Sequence, residues 1–247
     1  MAVKLSVVYL SYNEEDIVAS SLDSVANLAD EIIFVDSGST DSTPEIAKRF
    51  GARWYDRPLV NWGEQRNWAL QQCSYPWILV LDCDEVLCPE LQTALSRFKN
   101  SDPALKPHSF RRIHEFMGRT MRFSGLGNDW VVRLLPRGTE FEQLFVHEKV
   151  NEPSIKLDGA LQHFTYKSEA HWATKMRSYA VRQAKDYDKR TGTVTAYHKL
   201  LKPSFRFFKH YILKGGIFDG RQGWHYSCWM YKAVKWRYNE LEKLREQ

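Results

Sequence analysis

Trp77-Ile-Leu-Val-Leu-Asp-Cys-Asp-Glu85 runs five apolar residues directly into three carboxylates. A short continuous apolar run is how a strand buried on both faces reads, so the acids stand at its carboxyl end. Upstream, the same pattern occurs twice. Glu31-Ile-Ile-Phe-Val35 ends in Asp36-Ser-Gly-Ser-Thr-Asp-Ser-Thr-Pro44, and Lys4-Leu-Ser-Val-Val-Tyr-Leu10 ends in Ser11-Tyr-Asn-Glu-Glu15. Between these strands, Ile17, Leu22, Val25 and Leu28 carry helical spacing. Ser42 and Glu45 have capping-box spacing before a helix through Phe50, which Gly51 closes. Arg53-Trp-Tyr55 reads as a further short strand and Glu64 to Cys73 as a helix. Strands alternating with helices predict an α/β protein with a mostly parallel sheet covered on both faces.

Downstream the pattern changes. Pro89 to Phe98 reads as a helix, followed by candidate strands at Ser109 to Met117, Trp130 to Leu135 and Phe145 to Val150. From Glu169 onward the spacing is helical, over Met176 to Tyr187, Phe205 to Leu213 and Trp224 to Leu244. The expected division is an α/β domain over 1–168 and a helical, basic and aromatic region over 169–247.

Among 247 residues, 43% are hydrophobic and 26% charged, which excludes a disordered chain and a polytopic membrane protein. The charge is polarised: Met1 to Phe110 holds 9 Lys and Arg against 16 Asp and Glu, while Lys199 to Gln247 holds 11 against 4. An acidic front suits metal-bridged phosphate and a basic tail suits an anionic surface. Cys73, Cys83, Cys88 and Cys228 show no CxxC spacing, no secretory leader pattern opens the chain, and no apolar run is long enough to span a bilayer. The expectation is a cytoplasmic protein with reduced thiols.

In open α/β sheets, ligands bind beyond the carboxyl ends of the strands. Asp82 and Asp84 converge there with Glu85, and their mutual repulsion calls for a cation. Hard oxygen ligands suit Mg²⁺ or Mn²⁺, ions held by one or two carboxylates together with substrate phosphates. The competing reading is an acidic cluster capping the Pro89 helix. Asp36 can accept hydrogen bonds from a base or ribose, with Gly38 allowing the turn behind it; equally, Asp36 to Asp41 can be turn and cap chemistry alone.

Val7-Val-Tyr-Leu-Ser-Tyr-Asn-Glu-Glu15, Val35-Asp-Ser-Gly-Ser-Thr-Asp41 and Asp82-Cys-Asp84 together resemble glycosyltransferase family 2 with the GT-A fold. Asp129-Trp-Val-Val-Arg-Leu-Leu135, Val146-His-Glu148, His163 with Tyr166, and Phe218-Asp-Gly-Arg-Gln-Gly223 are similar to the subgroup of bacterial lipopolysaccharide inner-core glucosyltransferases. The resemblance implies that Asn13 and Glu14 line a nucleotide pocket, Asp36 holds the uracil or ribose, and Arg66 or Asn67 approaches the base or phosphates. Asp82 and Asp84 would bracket the ribose and a Mg²⁺ or Mn²⁺ ion, with Asp84 the more direct ligand. Cys83 stands where the subgroup usually carries Ala, and Gly220-Arg-Gln-Gly223 varies from its relatives. Neither departure removes a carboxylate.

The family typically inverts the anomeric centre, which requires a base for the acceptor hydroxyl. Glu148 and Asp129 are the candidates, Glu148 preferred. His163 is a candidate to complete the metal shell or touch the diphosphate, against the alternative of a structural histidine. The donor implied is a UDP-sugar, UDP-glucose by subgroup, and the acceptor a lipid-linked saccharide of the lipopolysaccharide core, at the cytoplasmic face of the bacterial inner membrane. Lys202 to Arg237 interleaves aromatic residues with cations, which suits peripheral contact with an anionic membrane or, equally, packing of aromatics on the core. A nucleic-acid or polyanion-binding module would use the basic tail but leaves the strand-end acids without a role, so no nucleic-acid partner is expected. A sugar-phosphate nucleotidyltransferase would need a Gly-rich basic loop after the first strand, and Ser11 to Glu15 is neither.

Overall fold

The computed structural model describes residues 2–142, 150–166 and 169–246. They form two compact units, Met1–Arg112 with Trp130–His163, and Ile113–Asp129 with Phe164–Gln247.

The first unit opens with β1 (Leu5–Ser11), α1 (Val18–Val25), β2 (Glu31–Asp36), α2 (Thr43–Arg49), β3 (Arg53–Asp56), α3 (Trp62–Gln71) and β4 (Trp77–Asp82). β1 is buried along its whole length and lies between β2 and β4, parallel to both; β3 adds parallel to β2. After β4 come β5 (Glu85–Leu87), α4 (Pro89–Lys99), β6 (His108–Phe116), β7 (Arg119–Thr120), β8 (Asp129–Pro136) and β9 (Ile155–Tyr166). The strand order is β3-β2-β1-β4-β8-β6-β9-β5, with β7 paired to β6. β8 runs antiparallel to β4, and β9 antiparallel to β5. The result is the mixed, largely parallel sheet of the GT-A type.

Alternation along the strands explains the two cores. Val7, Tyr9, Phe34, Leu79 and Leu81 face Val18, Leu22 and Val25 of α1 and Leu91 and Leu95 of α4. Val8, Leu10, Ile33, Val35, Ile78 and Val80 face Ala69 and Leu70 of α3. Successive side chains of a strand point to opposite faces, so a sheet covered on both sides needs every residue apolar.

Several elements differ from the sequence expectation. Ser42 forms no capping bond; its φ of −79° and ψ of 10° lack the extended geometry of an N-cap, and its N–H donates to Glu15 Oε2 at 2.9 Å. The capping box is thus displaced by a contact between the loops after β1 and β2. Helix α3 starts two residues early because Asn61 Oδ1 accepts the Glu64 N–H at 2.7 Å. β5 and the twelve-residue β9 carry no clear period in the sequence. β9 bends at Gly159, φ +97°, where an added Cβ would sit 2.5 Å from the Leu91 backbone. The expected Phe145 to Val150 strand, with Glu148, lies outside the described residues except for Val150, which is not in a strand.

The second unit is built from the β6–β7 hairpin end and the helices α5 (Glu169–Asp188), α6 (Lys202–Phe208) and α7 (Gly220–Arg245), with π-helical turns at Tyr197–Leu201 and Lys209–Leu213 flanking α6. Its core is aromatic: Trp172 stacks on Trp229 at 4.6 Å, and Phe116 meets the Trp229 ring edge-on at 4.7 Å. At the start of α7, Asp219 accepts the N–H groups of Arg122 and Phe123 and the Ser124 hydroxyl. Gly223 has no room for a side chain, since its Cβ would fall 1.9 Å from the Gly216 carbonyl oxygen. The Phe218 to Gly223 motif therefore acts as a packing joint in this unit.

Candidate functional site

The order β2-β1-β4 puts the crossover reversal between β1 and β4, where connecting loops leave in opposite directions and open a crevice at the strand carboxyl ends. Asn13 and Glu14 follow β1, Asp36 ends β2, Asp82 ends β4, and Cys83 and Asp84 follow it. Their convergence shows at Cys83: burial pushes this thiol well up from its usual range, and the charges of Glu14, Asp84, Asp82 and Asp36 push it further. Cys83 is buried and its Sγ–H points to the Leu10 carbonyl at 3.5 Å.

The loops after β1 and β2 are laced together. Asn13 takes a positive φ of 54°, a conformation its short polar side chain tolerates, and its Oδ1 accepts the Thr40 N–H at 2.8 Å. The Asn13 N–H donates to Ser39 Oγ, and the Glu14 N–H to Thr43 Oγ1, both at 2.8 Å. Asp36 organises the second loop from within. Only 1% exposed, it accepts the hydroxyls of Ser11 and Ser39 on Oδ1 and the N–H groups of Gly38 and Ser39 on Oδ2. Four bonds match the acceptor capacity of a carboxylate, so the structure uses Asp36 as the keystone of its own turn.

Behind the crevice lies an ion network. Asp82 Oδ1 accepts from Arg66 Nη2 at 2.9 Å and Oδ2 from Arg133 Nη2. The wholly buried Glu85 accepts from Arg133 at 2.7 Å and Arg112 at 3.2 Å, and its other oxygen takes the Asp82 N–H at 3.1 Å. Burial alone would raise the Asp82 carboxyl, but Arg133, then Arg66 and Arg112, hold it far below the usual range. The same acids keep Arg133 charged against its own burial. Glu85 thus pairs with arginines, and α4 has Cys88 at its cap with no side-chain capping bond and Glu90 in its first turn. The acidic cluster is not the cap of that helix.

Asp84 is held differently. β5 pairs with β9 so that Glu85 lies opposite His163, which sets His163 Nε2 3.3 Å from Asp84 Oδ2, each side chain retaining about an eighth of its exposure (13% and 12%). No group of three or more His, Cys, Asp or Glu side chains is poised to chelate an ion among the described residues. Asn67 fixes the segment after β8: it accepts the Phe141 N–H at 2.8 Å and donates to the Phe141 carbonyl at 2.9 Å. Arg66 also stacks over the Phe141 ring at 5.6 Å.

Residues 6–130, half of the chain, match the family model for Glycosyl transferase family 2. The chain belongs to that family. A glycosyltransferase of Rickettsia conorii with uncharacterised activity is 27% identical over 98% of this chain and 90% of its own length. The lipopolysaccharide core biosynthesis glycosyltransferase LpsC of Rhizobium meliloti is 27% identical over 85% of this chain and 82% of its own. Among solved structures, a mannosyltransferase from Pyrobaculum calidifontis, in complex with GDP-Man and Mn²⁺, covers 98% of this chain and 88% of its own with a TM-score of 0.52 and 14% identity, a likeness of fold. The chain is thus a family 2 glycosyltransferase with the GT-A architecture.

Three site features of this family 2 enzyme escaped the sequence reading. Arg133 had one signal, a lone cation inside the apolar Val131 to Leu135 run of β8, where a buried charge demands a partner. Arg112 had none. In the second unit, His114 Nε2 lies 2.8 Å from Asp129 Oδ2, with His114 buried and Asp129 partly exposed. The basic tail divides as well. Phe207 and Tyr211 pack on Trp224, and Trp229 and Trp236 on Trp172, while Phe205 and Phe208 stay exposed. No helix among the described residues is long and apolar enough to cross a membrane.

Proposed function

We propose that this enzyme is an inverting hexosyltransferase that moves glucose from UDP-glucose to a lipid-linked saccharide of the lipopolysaccharide-core type. The observation that carries the donor site is that Glu14 after β1, Asp36 at the end of β2 and Asp82 with Asp84 at the end of β4 share the carboxyl edge of three mutually parallel strands. In this reading Asn13 and Glu14 form the wall of the nucleotide pocket, whose shape Asp36 maintains. Arg66 and Arg133 hold Asp82 ionised and aimed, ready to accept from a ribose hydroxyl, and Asn67 keeps the Phe141 segment in place.

Asp84 with His163 suits Mg²⁺ or Mn²⁺: two side chains at 3.3 Å, one an anionic oxygen, match an ion that keeps waters and substrate phosphates in most of its coordination positions. Asp82, with one lone pair on each oxygen taken by an arginine and the others left for a ribose hydroxyl, serves the ion through its field. When bound, such an ion supplies positive charge to the departing diphosphate. The acceptor hydroxyl loses its proton to Glu148 or Asp129; Asp129 has His114 to orient it, and a positioned base is worth roughly a hundredfold to ten-thousandfold in rate. Similarity to LpsC along most of both chains supports a lipopolysaccharide-core acceptor. An acceptor anchored in lipid implies peripheral contact with an anionic membrane, at the cytoplasmic face of the bacterial inner membrane.

Calorimetric titration with UDP, GDP, CMP and their sugar conjugates, with and without Mn²⁺ or Mg²⁺, tests the donor site. The expected result is metal-dependent UDP binding that Asp84→Ala abolishes. UDP binding that is indifferent to metal and to Asp84, or binding of none of the nucleotides, overturns the assignment. Glu148→Gln and Asp129→Asn identify the base as the variant that loses transfer while retaining UDP affinity.

A further inference from the structure

Between Asp188 and Asp219 the chain carries seven Lys and Arg residues and no acid. The middle of this stretch, Tyr197–Leu213, is a helical segment of seventeen residues made of α6 and its two flanking π turns. One face is tied down within the second unit. Phe207 and Tyr211 pack on Trp224 at 5.0 and 5.3 Å, Lys202 donates to the Tyr238 hydroxyl at 3.0 Å, and His210 Nδ1 meets the Ser124 carbonyl at 2.8 Å.

The opposite face has no cover among the described residues. Leu200, Leu201, Phe205, Phe208, Ile212 and Leu213 are between 46% and 62% exposed and recur every three to five residues, the spacing of one helical face. Phe218, 71% exposed and tilted against Phe123, extends the stripe beyond the helix. Scattered apolar residues on a surface need no explanation, but a continuous stripe of this length does. Arg206, Lys209 and Lys214 border it and have no ion pair among the described residues. They are close enough to repel one another: burial first, then the charges of Lys209 and Arg206, lowers the Lys214 ammonium.

Apolar side chains on one face, cations at its border and no acid in the chain between Asp188 and Asp219 define a helix that lies in the plane of a bilayer interface, with acyl chains below and headgroup phosphates beside it. A protein partner would need only an acidic apolar groove, yet nothing in the stripe calls for the hydrogen-bonding rim that protein interfaces carry. We propose that Tyr197–Leu213 is a membrane-docking surface that inserts Leu200, Leu201, Phe205, Phe208, Ile212 and Leu213 into the interface of an anionic bilayer, with Arg206, Lys209 and Lys214 on lipid phosphates. The proposal deepens the reading of the acceptor as lipid-linked by assigning the surface that reaches it, and it stands on residues outside the donor site.

Co-sedimentation of the full chain with phosphatidylglycerol-containing vesicles, beside pure phosphatidylcholine vesicles, tests it. Wild type is expected to pellet with the anionic vesicles. Phe205→Ser/Phe208→Ser should lower the partition coefficient by about tenfold or more, and Lys209→Gln/Lys214→Gln by about fivefold per cation removed. Leu105→Ser, which removes an even more exposed apolar side chain (74%) from the first unit, should change nothing. UDP titration of each variant reports the donor site separately, and helical circular dichroism reports folding. Failure of wild type to pellet while UDP still binds overturns the docking surface and spares the donor site. Pelleting that depends on the lysines but ignores Phe205 and Phe208 overturns insertion, and loss of UDP binding with vesicle binding intact overturns the donor site alone.

Discussion

In the first unit, Asp82, Glu85, Arg66, Arg112 and Arg133 sit together in a network closed by bonds of 2.7 to 3.2 Å, together with the still shorter Arg133 to Asp82 contact. In the second, Arg206, Lys209 and Lys214 stand beside exposed apolar side chains, and the interior is held by stacked indoles. The two regions use cations for different ends. A buried guanidinium beside the wholly buried Glu85 must occupy one position in one orientation, because a partner left unpaired there has lost its water. An ammonium on a surface contributes its charge from almost any nearby position, so its exact neighbour matters little.

Arg133→Met breaks this contrast at its strongest point. It leaves Asp82 and Glu85 short of a buried partner and should destabilise the fold by about 3–5 kcal/mol in urea unfolding, whereas Lys at the same position recovers part of the loss but cannot bridge both acids. Trp229→Ala is the counterpart in the second unit. It removes a ring that touches Trp172 and Phe116, and about 3–5 kcal/mol of loss is expected there for a cavity rather than for charge, by the same measurement.

Acid separates the regions more gently. Burial, aided by the cations Lys214, Arg206 and Lys209, lowers the His210 pKa despite its bond to Ser124. The folded state thus disfavours the proton that the unfolded chain accepts, so the stabilisation is present above the unfolded value of about 6.5 and is lost as pH falls below it. The stability gap between wild type and His210→Gln should narrow from pH 7 to pH 5. Glu31 shows the carboxylate version in the first unit: burial raises its pKa, but hydrogen bonds from Ser6 and Ser74 and the charge of Arg53 outweigh it and bring it down. Its contribution is present above about pH 4.3 and is lost as pH drops further, so wild type and Glu31→Gln should converge only there.

The smallest effects sharpen the comparison from the solvent side. Asn61→Ala removes the cap of α3 and should cost about 1 kcal/mol. Lys209→Gln should shift stability by no more than about 0.5 kcal/mol while still weakening vesicle binding. A stability loss from Lys209→Gln comparable to that of Arg133→Met would erase the distinction between the two regions.

The strands that build the site were legible because β1, β2 and β4 are apolar without interruption, as only a doubly covered sheet requires. The acids at their ends were legible for the same reason, since chain polarity alone puts Asn13, Asp36 and Asp82 on one edge of a parallel sheet. β5 and β9 were not, for they mix polar and apolar residues and are stabilised by pairing across more than seventy positions. Asp36 shows a subtler limit: residue type and position allowed both a ligand contact and a turn, and four short internal bonds decide what the carboxylate does in this structure.

By itself, the sequence determined the fold class, the family and the edge of the sheet where the chemistry lies, because hydrophobic periodicity and strand direction are local properties. Tertiary structure alone decided that Asp84 meets His163, that Arg133 bridges Asp82 and Glu85, and which aromatic residues of the basic tail are interior. Those outcomes depend on desolvated charges finding partners and on which face of a helix finds another helix to cover it, and neither can be read from neighbours in the chain.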